Sequence, residues 1–487
     1  MRLLNTESMR LESFFGSAPR YAILSHTWEE EEILFEDISN PEQSTPVKKK
    51  GWEIVDGSCR QARLDGYEYV WIDTCCIDKS SSAELSEAIN SMFMWYHNAS
   101  RCYVYLADYD RFTIRKKTDI KSSRWFTRGW TLQELIAPRD VEFYDCNWFF
   151  IGRRQVQPRK PDEVHEESKD SEDGVLDEDR VPDEDRGWER RRRPAARRPS
   201  ANLIPLKSAP VQELVSALAS FSIAQKMSWA ARRQTTRPED EAYSLLGIFG
   251  VNMPLLYGEG RQAFFRLQQE IVRLSNDQSI LAFVHQPRAT EAWSTQDCPL
   301  LADSPACFAG SGQVGLPDTG SGAFQELTEL SPSQKALETR LYLWPVQHDH
   351  GESRGASLYF AILDSAYPND LTSHPAIVVR ALDDTGTIFT RFYGHLLVKL
   401  NPLFMTADTP RLAGSVKAHF SIMPACGLWI VCLGVTSFAP RPLCQADGGV
   451  VISVETGLGR RSVLRDGPLV LLSTRAAQAS TRAFSWT

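Results

Sequence analysis

Three polar clusters in the N-terminal third of the chain have the residue types for chemistry. Glu134 follows Leu132 and precedes Leu135 and Ile136, so a carboxylate stands where the apolar pattern asks for cover. An acid in that place either closes a buried polar cluster or takes part in a reaction. Trp130 stands four residues earlier, on the same face if the segment is helical. Ser25-His26-Thr27-Trp28 closes a short apolar run, and Asp73-Thr74-Cys75-Cys76-Ile77-Asp78-Lys79 closes another. His26 with Cys75 is the pair a Cys/His hydrolase would use, although two adjacent cysteines at an apolar strand end read more simply as packing. Asp73 and Asp78 offer oxygen to a divalent cation, but no third or fourth ligand can be named, so no metal site is assigned.

The elements that must position these residues follow from periodicity. Tyr21–Ser25 and Tyr69–Asp73 read as buried strands, Cys102–Ala107 and Val141–Tyr144 as two more. Between them come helical patterns from about Val47 to Leu64, stopped by Gly66, and from about Ala83, where Leu85, Ile89, Met92, Phe93 and Tyr96 make one apolar face. Ser122–Pro138 predicts a helix of about four turns, with Ser122 or Ser123 as its N-cap and Pro138 as its stop. Strand and helix in alternation imply a mostly parallel sheet wrapped on both sides, with ligands at the carboxyl ends of the strands. The loops at those ends carry Ser25, His26, Trp28, Asp73, Thr74 and Cys75, and the Glu134 helix comes later in the winding, so the three polar clusters can converge without being adjacent in sequence.

Residues 153–200 change character, with an acidic run over Asp162–Asp185 followed by Arg190–Arg193 and Arg197-Arg198. Such a stretch buries too little to offset its ordering entropy and reads as a disordered charged linker. A helical stretch resumes at Val211–Ala231, with Arg232-Arg233 expected on the surface near its end. Thr236-Arg237-Pro238-Glu239 reads as a capping box, Gly258-Glu259-Gly260 as a tight turn, and Arg261–Leu274 as an amphipathic helix. Beyond about Ser279, seven short apolar or alternating runs separated by turn residues imply a mainly antiparallel β region. The expected division is therefore 1–152, the 153–200 linker, a helical 201–285 and a β-rich 286–487.

Composition excludes some classes. The 487 residues are 42% hydrophobic and 24% charged, with a net charge of -8 and a pI near 5.7. That argues against a surface given over to nucleic acid. No apolar run reaches membrane-spanning length, and the start MRLLNTESMR has no apolar export core, so the expected location is cytoplasmic. Ten cysteines without C-x-x-C spacing read as reduced, buried thiols.

YAILSHTW (21–28), YVWIDTCCIDK (69–79) and RGWTLQEL (128–135), in that order and spacing, resemble the heterokaryon incompatibility (HET) domain of filamentous fungi. The block from Met227 to Ile271 resembles the segment that commonly follows it in vegetative-incompatibility proteins. This implies an effector of non-self recognition and programmed cell death, acting with other incompatibility proteins or by self-association. The HET domain is in turn similar to Toll/interleukin-1 receptor (TIR) domains, which implies an α/β, flavodoxin-like parallel sheet. By that likeness Glu134 is the candidate catalytic residue of a NAD glycohydrolase, its carboxylate stabilising an oxocarbenium-like transition state at the ribose. Ser25, His26, Trp28, Asp73 and Trp130 would be the substrate-binding residues. NAD would be the substrate, and no resident cofactor is expected. The alternative is a scaffold in which Glu134 accepts hydrogen bonds from Ser25, His26 or Thr27 and pins the sheet. There is no nucleotide-triphosphatase motif and no WD-type repeat downstream.

Overall fold

The computed structural model describes residues 1–40, 49–112, 120–155, 217–285 and 297–317, together with strands and short connections between 330 and 463. The N-terminal sheet has seven strands: β1 (Arg2–Asn5), β2 (Leu11–Ser13), β3 (Tyr21–His26), β4 (Tyr69–Trp71), β5 (Arg101–Tyr105), β6 (Asp140–Tyr144) and β7 (Phe150–Gln155). Their spatial order is β2-β1-β4-β3-β5-β6-β7. The central four, β4-β3-β5-β6, are parallel. In order of appearance they run 2-1-3-4, so the winding reverses direction between β3 and β5. The sheet is not parallel throughout, because β1, β2 and β7 add antiparallel edges. β1 and β2 are three or four residues long, too short for a periodicity to announce them. β7 runs through the expected boundary at 152/153, and the rest of the predicted charged linker lies outside the described residues.

Every residue of β3 and β4 is buried, as expected for strands covered on both faces. Helices α1 (Phe35–Ser39), α2 (Trp52–Leu64) and α3 (Ser82–Asn98) provide part of that cover. Gly66, at φ +79°, makes the left-handed turn after α2 that a side chain would resist. Ser81 caps α3 by accepting from the Glu84 amide, and α3 buries Ala88, Ile89, Met92, Phe93 and Tyr96, close to the face read from spacing.

The four-turn helix expected from Ser122 does not form. Two 3₁₀ turns, Ile120–Ser122 and Arg124–Thr127, precede a short α4 (Thr131–Ile136). Ser123 does cap, but it caps the 3₁₀ turn, accepting from the Trp125 amide. The break has a cause far along the chain. The Gly129 amide donates to the Gln234 carbonyl at 2.8 Å and the Gln234 amide to the Thr127 carbonyl at 2.7 Å, so a distant extended segment takes the groups a helix would have used.

The chain from 217 to 285 contains α5 (Ile223–Ala230), α6 (Asp240–Tyr243), α7 (Leu246–Phe249) and α8 (Gln262–Leu274). The expected Thr236–Glu239 capping box is absent, since α6 starts one residue past Glu239. The Glu239 carboxylate instead accepts from the Gly258 and Gly260 amides at 2.8 and 2.9 Å. It thereby fixes the predicted turn, whose glycines have φ of +104° and +60°. These helices lie against the sheet's own cover: Asn90 bonds both backbone groups of Met253, and Gly247 lies directly on Phe93. One apolar core runs without interruption from Leu3 to Leu397.

Twelve strands described between Asp297 and Val463 pair antiparallel in a second sheet. All seven predicted runs are among them, and the additional pieces, such as Asp297–Cys298 and Leu330–Pro332, are two to five residues long. Among the described residues no helix is long and apolar enough to cross a membrane.

Candidate functional site

The carboxyl ends of β3 and β4 meet α4 in one polar cluster. Ser25, the fifth residue of β3, points at α4 and donates to Glu134 Oε2 at 2.5 Å. The same hydroxyl accepts from Trp125 Nε1 at 2.8 Å, so its donor and acceptor capacities are both used. The Tyr96 hydroxyl, on α3, reaches both the Leu24 carbonyl at 2.9 Å and the Glu134 carboxylate. Glu134 is only 7% exposed. Burial pushes its pKa up to about 7 and the nearby Asp73 charge adds to the rise, while Ser25, His26 and Tyr96 hold it down. Its surroundings thus favour the protonated acid relative to an exposed carboxylate.

His26 lies one residue on, its side chain 1% exposed. Its Nε2 is 3.3 Å from Glu32 Oε2, and its Nδ1 is 3.9 Å from Asp73 Oδ1. Burial alone would lower its pKa, but the Glu32 hydrogen bond and the Asp73, Glu32 and Glu134 charges outweigh it and the net shift is upward. Glu32 takes a second donor, the Glu29 amide at 2.7 Å, which folds the acidic loop back on the histidine. Trp28 donates its indole N–H to Asp73 Oδ2 at 2.8 Å, and the Lys79 ammonium sits 3.6 Å from its ring centroid.

Of the residues singled out from sequence, Ser25, His26, Trp28, Asp73 and Glu134 come together. Trp130 does not join them, because it sits at the N-cap of α4 and its indole bonds Asp240 of α6. Cys75 is fully buried, with its thiol pushed well above the usual range by Cys76 and by burial, so the Cys/His pairing has no thiolate to offer. Among the described residues no group of three His, Cys, Asp or Glu side chains could hold a metal ion.

Sequence reading passed over Glu32, Lys79, Tyr96 and Arg233. Glu32 and Lys79 lie inside the two loops already of interest, but nothing in their spacing shows that they turn inward. Arg233, expected on the surface, donates to the Arg128 carbonyl at 2.7 Å and to Thr131 Oγ1 at 2.8 Å. Thr131 in turn donates to the Trp125 carbonyl at 2.5 Å. The helical block thus braces the Trp125–Ser25–Glu134 chain from outside the sheet.

A model of the heterokaryon incompatibility protein (HET) family matches residues 21–115. This chain carries a HET domain. The match spans β3 to β5 and so includes Ser25, His26, Trp28 and Asp73, and it ends before Trp125, Trp130 and Glu134. Over 267 residues the chain is 40% identical to the vegetative incompatibility protein HET-E-1 of Podospora anserina, an overlap of 53% of this chain and 16% of that one. The HET-domain chain thus covers well under a quarter of that relative's length. No solved structure matches it.

Proposed function

We propose that this HET-domain protein is an effector of vegetative incompatibility that triggers cell death on non-self recognition, through self-association or assembly with other incompatibility proteins. The observation that carries the reading is the 40% identity over 267 residues to a vegetative incompatibility protein, together with the family match over 21–115. The closed state of the polar cluster supports a binding and signalling role over an enzymatic one. Glu134 is buried and accepts from Ser25 and Tyr96 within the protein, so substitutions on the exposed surface that leave it intact are expected to govern activity. Induced expression of the full chain in a filamentous fungus, scored by hyphal viability and by light scattering of the purified protein, tests this. Full viability with a strictly monomeric protein, alone and mixed with extract of an incompatible strain, would overturn it.

A second reading is hydrolysis of the nicotinamide–ribose bond of NAD with Glu134 as the catalytic carboxylate. Its support is a carboxylate tuned to about 7 at the carboxyl ends of a doubly wound sheet. Against it stands the 7% exposure of that residue, which leaves the ribose no approach in this conformation. Nicotinamide release by the full chain, lost in Glu134→Gln, decides between the two.

A further inference from the structure

Three buried polar atoms at the ends of β3 and β4 have no hydrogen-bond partner among the described residues: His26 Nδ1, Thr74 Oγ1 and Lys79 Nζ. His26 and Thr74 are almost wholly enclosed, with Thr74 1% exposed. Leaving such groups unmet is costly, most of all for a charged one, so three of them at adjoining strand ends call for an explanation. Lys79 directly, and His26 through Asp73, adjoin one side chain. The indole of Trp28 lies over the Lys79 ammonium and bonds Asp73, and Asp73 also faces His26 Nδ1. Trp28 itself is 47% exposed, so its indole has room to turn toward solvent. Turning that one side chain outward would uncover the ammonium and release a carboxylate oxygen, leaving the strands in place.

We propose that Trp28 is the lid of a binding site for a neutral saccharide, in which Lys79, Thr74, His26 and Asp73 meet ring hydroxyls and the indole stacks on the sugar's C–H face. The charge pattern selects the class. An anion would meet Asp73 and Glu32, and a cation would meet Lys79 and a histidine held toward its charged form. Hydroxyl groups both donate and accept, so they satisfy the three unmet groups and the freed carboxylate at once. The flat indole supplies the apolar face that such a ligand needs for affinity. No bond is made or broken; this is a recognition site, independent of the cell-death reading because binding is read on purified protein.

The test is saturation-transfer NMR on the full chain with D-glucose, N-acetylglucosamine and D-mannose, with sodium phosphate and choline as charged competitors. The expected result is transfer to at least one sugar that neither competitor removes, weakened about tenfold or more in Lys79→Met and in Trp28→Ala. In protein carrying 5-fluorotryptophan, the resonance missing from Trp28→Phe should shift on sugar addition. Trp28 is half exposed, so Trp28→Ala should stay folded if Lys79→Met does not, and it then decides alone. Absence of transfer to all three sugars, competition by phosphate, or unchanged binding in folded Trp28→Ala would each overturn the proposal.

Discussion

Replacing Glu134 by glutamine should change how stability depends on pH. The acid has an ordinary pKa of 4.5 and is held at about 7 in the folded chain, chiefly by burial. Because the folded state binds its proton more tightly than the unfolded state, this group's contribution is fully present below about pH 4.5 and is lost as pH rises through about 7. The difference of roughly 2.5 units, at about 1.4 kcal/mol per unit, corresponds to about 3 kcal/mol. The glutamine amide would remain neutral throughout and could still accept from Ser25. Relative to wild type, the Glu134→Gln variant should therefore gain about 3 kcal/mol on going from pH 4.5 to pH 7.5, whatever its offset at the acid end. His26 shares the site and its raised pKa has the same sign, with stability lost as pH climbs through it; the Glu32 and Asp73 contributions to that rise are present in both proteins, while the smaller Glu134 contribution is lost with the acid. Urea unfolding followed by tryptophan fluorescence at pH 4.5, 6 and 7.5 measures the difference, using the first transition because a chain of this size need not unfold in one step. Parallel pH profiles for the two proteins would refute the desolvated, partly protonated acid.

Three further outcomes follow from the packing. Gly247→Ala should destabilise by about 1–3 kcal/mol, because a Cβ there would fall within the Phe93 side chain, and thermal unfolding will show it. Trp125→Phe keeps the buried ring but removes the indole donor to Ser25, at a cost of about 1 kcal/mol in the same urea series. Cys59, Cys75, Cys76 and Cys102 are buried; the Cys76 hydrogen bond and burial hold the Cys75 thiol well above its usual range, and burial does the same for Cys102. All four should resist iodoacetamide at pH 8 until denaturant is added, while the half-buried Cys146 is alkylated first; peptide mass mapping distinguishes them.

The central parallel strands, α2, α3 and the seven downstream strands were legible because each carries its own apolar period. The 122–137 segment was not. Its local pattern favours a long helix, but Gln234, more than a hundred residues on, claims the Thr127 and Gly129 backbone groups, and tertiary pairing outweighs propensity. The same holds for Glu239, whose place in a capping box is overridden by two glycine amides nineteen and twenty-one residues later. Within the site, Ser25, His26, Asp73 and Glu134 could be placed together because strand ends and their loops are fixed by topology. Trp130 was misplaced with them, since its direction depended on the helix that does not form. Lys79 and Arg233 escaped notice because a long basic side chain reads as surface until something is found to cover it.

The same contacts bear on what the smallest working piece of this chain is. The family match stops at 115, yet Ser25 is held by Trp125, Trp125 by Thr131, and Thr131 by Arg233, so the polar cluster is complete only when the segment after 217 is docked. The docking is made of backbone pairing at 127–129 with 234, side-chain bonds from Asn90 to Met253, and apolar contact of Gly247 with Phe93. Contacts of all three kinds are costly to leave unmade once their partners are buried. A chain cut near residue 155 would expose Phe93 and the unpaired 127–129 backbone, along with the unbraced end of α4. Its polar cluster would then be altered by the truncation itself, so this HET domain has to be assayed with residues 217–285 attached.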